Sequence, residues 1–211
     1  MTSDWRDEYD AKVILDRLIA HQGRIWDVVH DTFAIGPFTV ARDYVRHMGA
    51  VAILAINDKD EILTIRQYRQ PIGAYLIEIP AGLLDDVEEV PLLAAQRELR
   101  EEANYQAETW SVLIDFLTSP GSTSEAVRIY LAEGLSECGP RTSDLDDEES
   151  EIELRWVKID DALAQIERGL WQSPTLTLGI MAYTTLTRRR PVDSDWPART
   201  HLIQTERVHR A

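Results

Sequence analysis

The residues best placed to do chemistry in this chain are three glutamates and an arginine in the run Arg97-Glu98-Leu99-Arg100-Glu101-Glu102. A helix turns each residue by about 100°, so Leu92, Ala95, Leu99 and Ala103 line up as one apolar stripe. Glu98, Glu101 and Glu102 then share a neighbouring face, at separations of three and four positions. Like charges at those spacings repel by about a few tenths of a kcal/mol per pair. Stability alone gives little reason to stack them. A divalent cation supplies one, because Mg²⁺ and Mn²⁺ are hard ions that take oxygen ligands while also binding phosphate oxygens. Three carboxylates on one helix face can hold such ions against a diphosphate, and Arg97 at the edge of that face can orient a carboxylate such as Glu89. The bland alternative for so short a string is a solvated acidic helix surface. The flanking residues decide between the two.

Those flanking residues resemble the signature of the Nudix hydrolases, Gly-x5-Glu-x7-Arg-Glu-U-x-Glu-Glu-x-Gly-U, where U is a bulky aliphatic residue. This chain reads Gly82-x6-Glu89-x7-Arg97-Glu98-Leu99-Arg100-Glu101-Glu102-Ala103-Asn104-Tyr105. The first spacer is one residue longer, a variation associated with the ADP-ribose pyrophosphatase branch. Asn104 stands where the family has its last glycine; a helix C-terminus there wants a left-handed residue, and asparagine is the best substitute. Tyr105 replaces the last aliphatic residue. None of the three departures removes an acid of the signature.

The resemblance implies attack of water on phosphorus in a nucleoside diphosphate linked to another moiety. A diphosphate is negative and resists an incoming hydroxide, so cations must neutralise it and activate the water. By resemblance Glu98 and Glu102 are the main metal ligands, Glu101 assists, and the carbonyl of Ala81 in Ile79-Pro80-Ala81-Gly82 completes the shell. Gly82, Glu89 and Arg97 are structural members of the signature. In the ADP-ribose branch the catalytic base lies on a later acidic loop, matched here by Asp146-Asp-Glu-Glu-Ser-Glu151; Glu149 is the first choice, with Glu148 and Glu151 as competitors.

The implied activity is Mg²⁺-dependent hydrolysis of ADP-ribose to AMP and ribose 5-phosphate, with Mn²⁺ as a possible substitute. Gln67-Tyr68-Arg69 followed by Tyr75-Leu-Ile-Glu78 resembles the entry to the signature in ADP-sugar pyrophosphatases, which assigns Arg69 to a phosphate and Glu78 to the nucleoside part. Pro120, 16 residues beyond Asn104, marks the ADP-ribose branch, and Glu125 in the same loop is a further polar contact. Arg42, in Arg42-Asp-Tyr-Val-Arg-His-Met-Gly, matches a substrate-binding position at the family's junction between N-terminal unit and core. The branch also implies a homodimer made by exchange of N-terminal strands. Other readings remain open: hydrolysis of another nucleoside diphosphate sugar or a dinucleotide, or a non-catalytic ADP-ribose sensor. The retained acids disfavour the sensor.

Positioning these residues requires strands before the helix and after it. Val51–Ile56, Ile62–Arg69 and Tyr75–Ile79 read as strands, and Asn57–Glu61 as a turn. A helix is expected from Pro91 to Ala103, with proline at the first turn, where its missing N–H costs nothing. Strands follow at Trp110–Leu117, Val127–Glu133 and Leu154–Ile159, then helices at Asp160–Arg168 and from a capping serine, Ser173, onward. The turn-rich stretch after Arg190 is left unassigned. Strands, a helix, more strands and then helices argue for an α+β fold. In the first 48 residues, Ile25-Trp-Asp-Val-Val and Phe38-Thr-Val-Ala-Arg-Asp-Tyr-Val, broken by Gly36-Pro37, read as a small N-terminal antiparallel β unit. The resemblance sharpens the rest to a Nudix-type α/β/α sandwich with a mixed sheet. The expected division is 1–48 for that unit, 49–200 for the hydrolase domain and 201–211 for a C-terminal tail.

Composition narrows the setting. At about 150 residues per domain, 211 residues suit one domain and an appendage. With 37 acidic against 22 basic residues the net charge is −15, which repels nucleic acid and anionic membranes as partners. The longest apolar run, Met48–Ile56, is too short to span a bilayer, and the acidic N-terminus lacks the segments of a signal peptide. Cys138 is the single cysteine, so no internal disulfide forms. The expected location is the cytoplasm. His21, His30, His47, His201 and His209 show no ligand spacing.

Overall fold

The computed structural model describes residues 5–84, 89–139 and 152–210, with side chains up to residue 203. Glu148, Glu149 and Glu151 therefore lie outside the described residues. The chain divides into two compact units: Met1–Gly49 with Leu117–Ala126 and Asp195–Ala211, and Ala50–Phe116 with Val127–Ser194.

In the first unit, β1 (Ile14–Gln22), β2 (Asp27–Ile35) and β3 (Phe38–Arg46) form an antiparallel meander in that order. β2 and β3 pair without slippage from Asp27↔Arg46 to Ile35↔Phe38 around the Gly36-Pro37 turn. Gly36 sits at φ 54°, a left-handed conformation that glycine adopts at little cost. Inside the sheet, the buried Asp31 accepts both the Nε–H and an Nη–H of Arg17 at 2.6 Å and the hydroxyl of Tyr44 at 2.9 Å. These bonds satisfy a carboxylate that would be costly to bury bare. The segment left unassigned by sequence contains a helix over Pro197–Arg210, with proline in its first turn.

The second unit carries the signature. β4 (Ala50–Ala55) is buried at every position, as a central strand covered on both faces must be. It lies between β7 (Ala81–Leu83), antiparallel, and β9 (Ala126–Glu137), parallel, in a mixed sheet of order β7-β4-β9-β8, where β8 is Tyr105–Leu117. A second, antiparallel sheet has the order β10-β5-β6, from Glu153–Lys158, Glu61–Arg69 and Ala74–Glu78. Helix α1 (Pro91–Ala103) packs on β7 and β4, α2 (Ile159–Glu167) on β10, and α3 (Pro174–Thr185) on β4 and β6. Leu54, Ile79, Ile129, Leu176 and Ile180 meet in the core without solvent exposure. Burying each such side chain contributes about 1.5–3 kcal/mol.

Two local expectations have different outcomes. Asn104 ends α1 at φ 60°, its N–H bonded to the Arg100 carbonyl at 2.9 Å. Its side-chain amide donates to the Gly139 carbonyl at 2.6 Å and its own carbonyl accepts the Cys138 N–H at 3.0 Å, which ties the end of α1 to the end of β9. Ser173 does occupy the residue before α3 but does not cap it with its side chain. Its buried hydroxyl pairs with that of Thr175 at 3.0 Å instead, a nearby partner that competes with the backbone amides.

Candidate active site

The site grows from the way β7 meets α1. The Ile53 N–H donates to the Pro80 carbonyl at 2.8 Å, and the β4–β7 ladder continues through Ala52↔Ala81 and Val51↔Gly82. This fixes Ala81 and Gly82 beside the helix. Glu102 Oε2 accepts the Ala81 N–H at 2.9 Å. A Cβ on Gly82 would stand 2.1 Å from both Cδ and Oε1 of Glu98, so the Glu98 carboxylate lies where any larger residue would put its side chain. The two acids meet at one dipeptide.

Packing separates the three acids that the helical wheel placed together. Glu98 and Glu102 are buried, at 8% and 6% exposure, on the face that includes Ala95, Leu99 and Ala103, whereas the Glu101 side chain is 43% exposed. Arg97 engages the acids from the rim. Its Nη1 donates to Glu98 Oε1 at 2.6 Å and to Glu101 Oε2 at 3.0 Å, while its Nε and Nη2 reach the two oxygens of Glu89 at 3.4 Å each. Burial works against the Arg97 charge, but hydrogen bonds to Glu89 and Glu101 and the charge of Glu98 outweigh it and raise the pKa of the guanidinium. Among the described residues, no three histidines, cysteines or acids stand close enough together to hold an ion.

The donor set nonetheless suits a hard divalent cation. It consists of carboxylate oxygens, on buried side chains that reach Ala81-Gly82, and Glu98 can take its place there only because residue 82 lacks a Cβ.

The residues expected at the substrate fall into two sets. In the second unit Arg69 and Glu78, read separately from sequence, bond to each other. Arg69 Nη2 donates to Glu78 Oε2 at 2.6 Å and Nε lies 3.2 Å from both oxygens. Glu78 is buried while the Arg69 side chain is 42% exposed, so the carboxylate anchors a guanidinium that reaches solvent. In the first unit Arg42 and Pro120 line a cavity of about 1080 Å³ together with Lys12 and Tyr44. Arg42 there donates to the Ala41 carbonyl at 2.7 Å. Glu125 accepts the Thr118 hydroxyl at 2.8 Å and lies 3.4 Å from Nε2 of His47. Sequence reasoning missed His47, which is buried; its place in the Arg42–Gly49 junction was the one available signal.

This arrangement is what the fold and the signature together define, and residues 46–177 match the Nudix domain. The chain belongs to the Nudix family. An ADP-ribose pyrophosphatase of Mycobacterium tuberculosis is 38% identical over 96% of this chain and 99% of its own length. A methanol dehydrogenase activator of Bacillus methanolicus is 40% identical over 65% of this chain and 74% of its own. A crystal structure of an ADP compounds hydrolase covers 85% of this chain and 95% of its own, with TM-score 0.67 and 20% identity, a likeness of fold.

Proposed function

We propose that this protein hydrolyses the diphosphate bond of ADP-ribose to AMP and ribose 5-phosphate, with Mg²⁺ as the working ion and Mn²⁺ as a substitute. The observation that carries the reading is the convergence of buried Glu98 and Glu102 on Ala81-Gly82. The full-length similarity to an ADP-ribose pyrophosphatase supports the substrate. When bound, the divalent ion neutralises the diphosphate and lowers the pKa of the attacking water. Glu98, Glu102 and the Ala81 carbonyl would hold it, with Glu101 assisting once Arg97 releases it. Arg97 and Glu89 keep these acids in register. Arg69, braced by Glu78, binds a phosphate oxygen, and Glu78 borders the nucleoside. For Arg42, Pro120 and Glu125, on the first unit, the family resemblance supports a role in binding substrate. A loop glutamate, Glu149 before Glu148 or Glu151, accepts a proton from the water as its oxygen bonds to phosphorus and the bridging P–O bond breaks.

One assay tests both substrate and base. Purified protein with Mg²⁺ is given ADP-ribose, ADP-glucose, UDP-glucose or NADH at equal concentration. ADP-ribose is expected to turn over at least about tenfold faster than the rest; another winner replaces the substrate assignment. In the same assay, Gln at 148, 149 or 151 is expected to cost about 10²-fold or more at one position, the contribution of a general base. If all three variants keep the full rate, the loop holds no base.

The reading extends to a cytoplasmic homodimer. Leu15, Leu18 and Phe38 on the first unit's sheet are more than half exposed, apolar area that a second copy would cover. Among the described residues no helix is long and apolar enough to cross a membrane. Small-angle scattering at micromolar concentration is expected to give twice the chain mass of 24.1 kDa, and a monomer mass contradicts the dimer.

A further inference from the structure

His47 has no part in the roles above, yet it is buried to 6% exposure beside Glu125 within the first unit. The Gly49 N–H donates to its Nδ1 at 2.9 Å. A nitrogen that accepts a hydrogen bond carries no proton, so the neutral ring bears its hydrogen on Nε2. That Nε2 faces Glu125 Oε1 at 3.4 Å, a gap that a shift of about half an ångström closes to a hydrogen bond. The other carboxylate oxygen is already held by the Thr118 hydroxyl at 2.8 Å.

The backbone around the pair is stitched as firmly. Ser124 Oγ accepts the His47 N–H at 2.8 Å and donates to the His47 carbonyl at 3.0 Å. The Val45 N–H donates to the Ser122 carbonyl at 2.9 Å, and the Ser124 N–H donates to the Val45 carbonyl at 3.0 Å. Residues 118–125 are thus fastened to the end of β3. The Glu125 side chain keeps 27% exposure, which leaves acceptor positions for a hydroxyl donor.

We propose that His47 is a positioning residue: its Nε2–H, in a tautomer set by the Gly49 amide, fixes the Glu125 carboxylate for the substrate. The proposal rests on the reading that Glu125 touches a nucleotide sugar. Burial lowers the His47 pKa and the charge of Glu125 raises it; burial prevails. Glu125 is the charged group that faces the ring from the 118–125 loop, and Trp26, whose ring centroid lies 5.8 Å away, contributes no charge. As pH falls through the lowered value, the ring takes a proton on Nδ1, which then opposes the Gly49 donor.

The test uses the full chain and ADP-ribose with Mg²⁺. In His47→Asn the side-chain carbonyl can still accept from Gly49 but no N–H at the Nε2 position faces Glu125 Oε1, so KM is expected to rise about tenfold, well beyond the change in kcat. His47→Gln, whose amide can donate at the Nε2 position, is expected to recover most of that loss. His47→Asn combined with Glu125→Gln is expected to be no worse than Glu125→Gln alone. Nitrogen NMR of the unmutated protein reads the tautomer directly, whatever the variants' stability, and is expected to show the proton on Nε2. A proton on Nδ1, an unchanged KM in His47→Asn, or additive losses in the double variant overturns the proposal. Absence of any ADP-ribose hydrolysis by the wild type instead sinks the functional reading on which it rests.

Discussion

Glu102→Gln is expected to lower kcat by on the order of 10²-fold or more while leaving the fold intact. The argument is one of matched shape and lost charge. The Gln side-chain carbonyl can accept the Ala81 N–H that Glu102 Oε2 now accepts at 2.9 Å, so the bond between α1 and β7 survives. The position is 6% exposed and Gln matches Glu in size and shape, so the variant is expected to fold, with a single cooperative melt. What disappears is a negative oxygen donor for a hard cation. The measurements are kcat with Mg²⁺ and a thermal melt of the same preparation. Near-normal turnover, with the variant folded, removes Glu102 from the metal assignment.

Gly82→Ala is the second large effect, and it acts through space rather than charge. The new methyl would begin 2.1 Å from the Glu98 carboxylate and 2.3 Å from its Cγ, far inside van der Waals contact. Glu98 must leave its place or β7 must move from α1. Overpacking of this kind costs about 1–3 kcal/mol, and activity is expected to fall about 10²-fold because one of the two convergent acids is displaced. Gly179→Ala is the matched control. Its Cβ would meet Ile79, Leu54 and Ile129 at 3.6–3.7 Å, ordinary contact distances, so activity should stay at the wild-type level. If Gly82→Ala behaves like Gly179→Ala, the close approach of Glu98 to residue 82 has no catalytic importance.

How much of this was legible beforehand depends on whether the relevant physics was local. Helix α1 was readable to both ends because Pro91 and Asn104 encode its boundaries in their own dihedral preferences. β4 was readable because a strand covered on both faces is apolar throughout. β1 was not: Asp16, Arg17 and His21 interrupt its apolar residues, and irregularities between Ile14 and Asp16 and between Ile19 and His21 break the alternation on which a strand reading relies. The C-terminal helix was hidden behind the turn-forming residues that precede Pro197.

At the site, helical spacing placed three acids on one face, but it could not show that β7 would cover two of them and leave Glu101 at the rim. Arg69 and Glu78 sit nine positions apart, and only the β5–β6 pairing brings them within hydrogen-bond reach. His47 looked inert because histidine reads as a ligand through spacing to other ligands, whereas its partners, Gly49 and Glu125, carry no such pattern.

The fork made by Arg97 bears on how the protein survives between encounters with metal. Bare carboxylates crowded along one helix repel one another, and an enzyme that depended on magnesium to quiet them would loosen whenever the ion departed. Here a tethered organic cation already spans Glu89, Glu98 and Glu101. That guanidinium offsets the repulsion among the carboxylates with groups of the chain itself. A divalent ion at these acids would have to displace that tether, so removing the guanidinium is expected to change how the acids take up a cation.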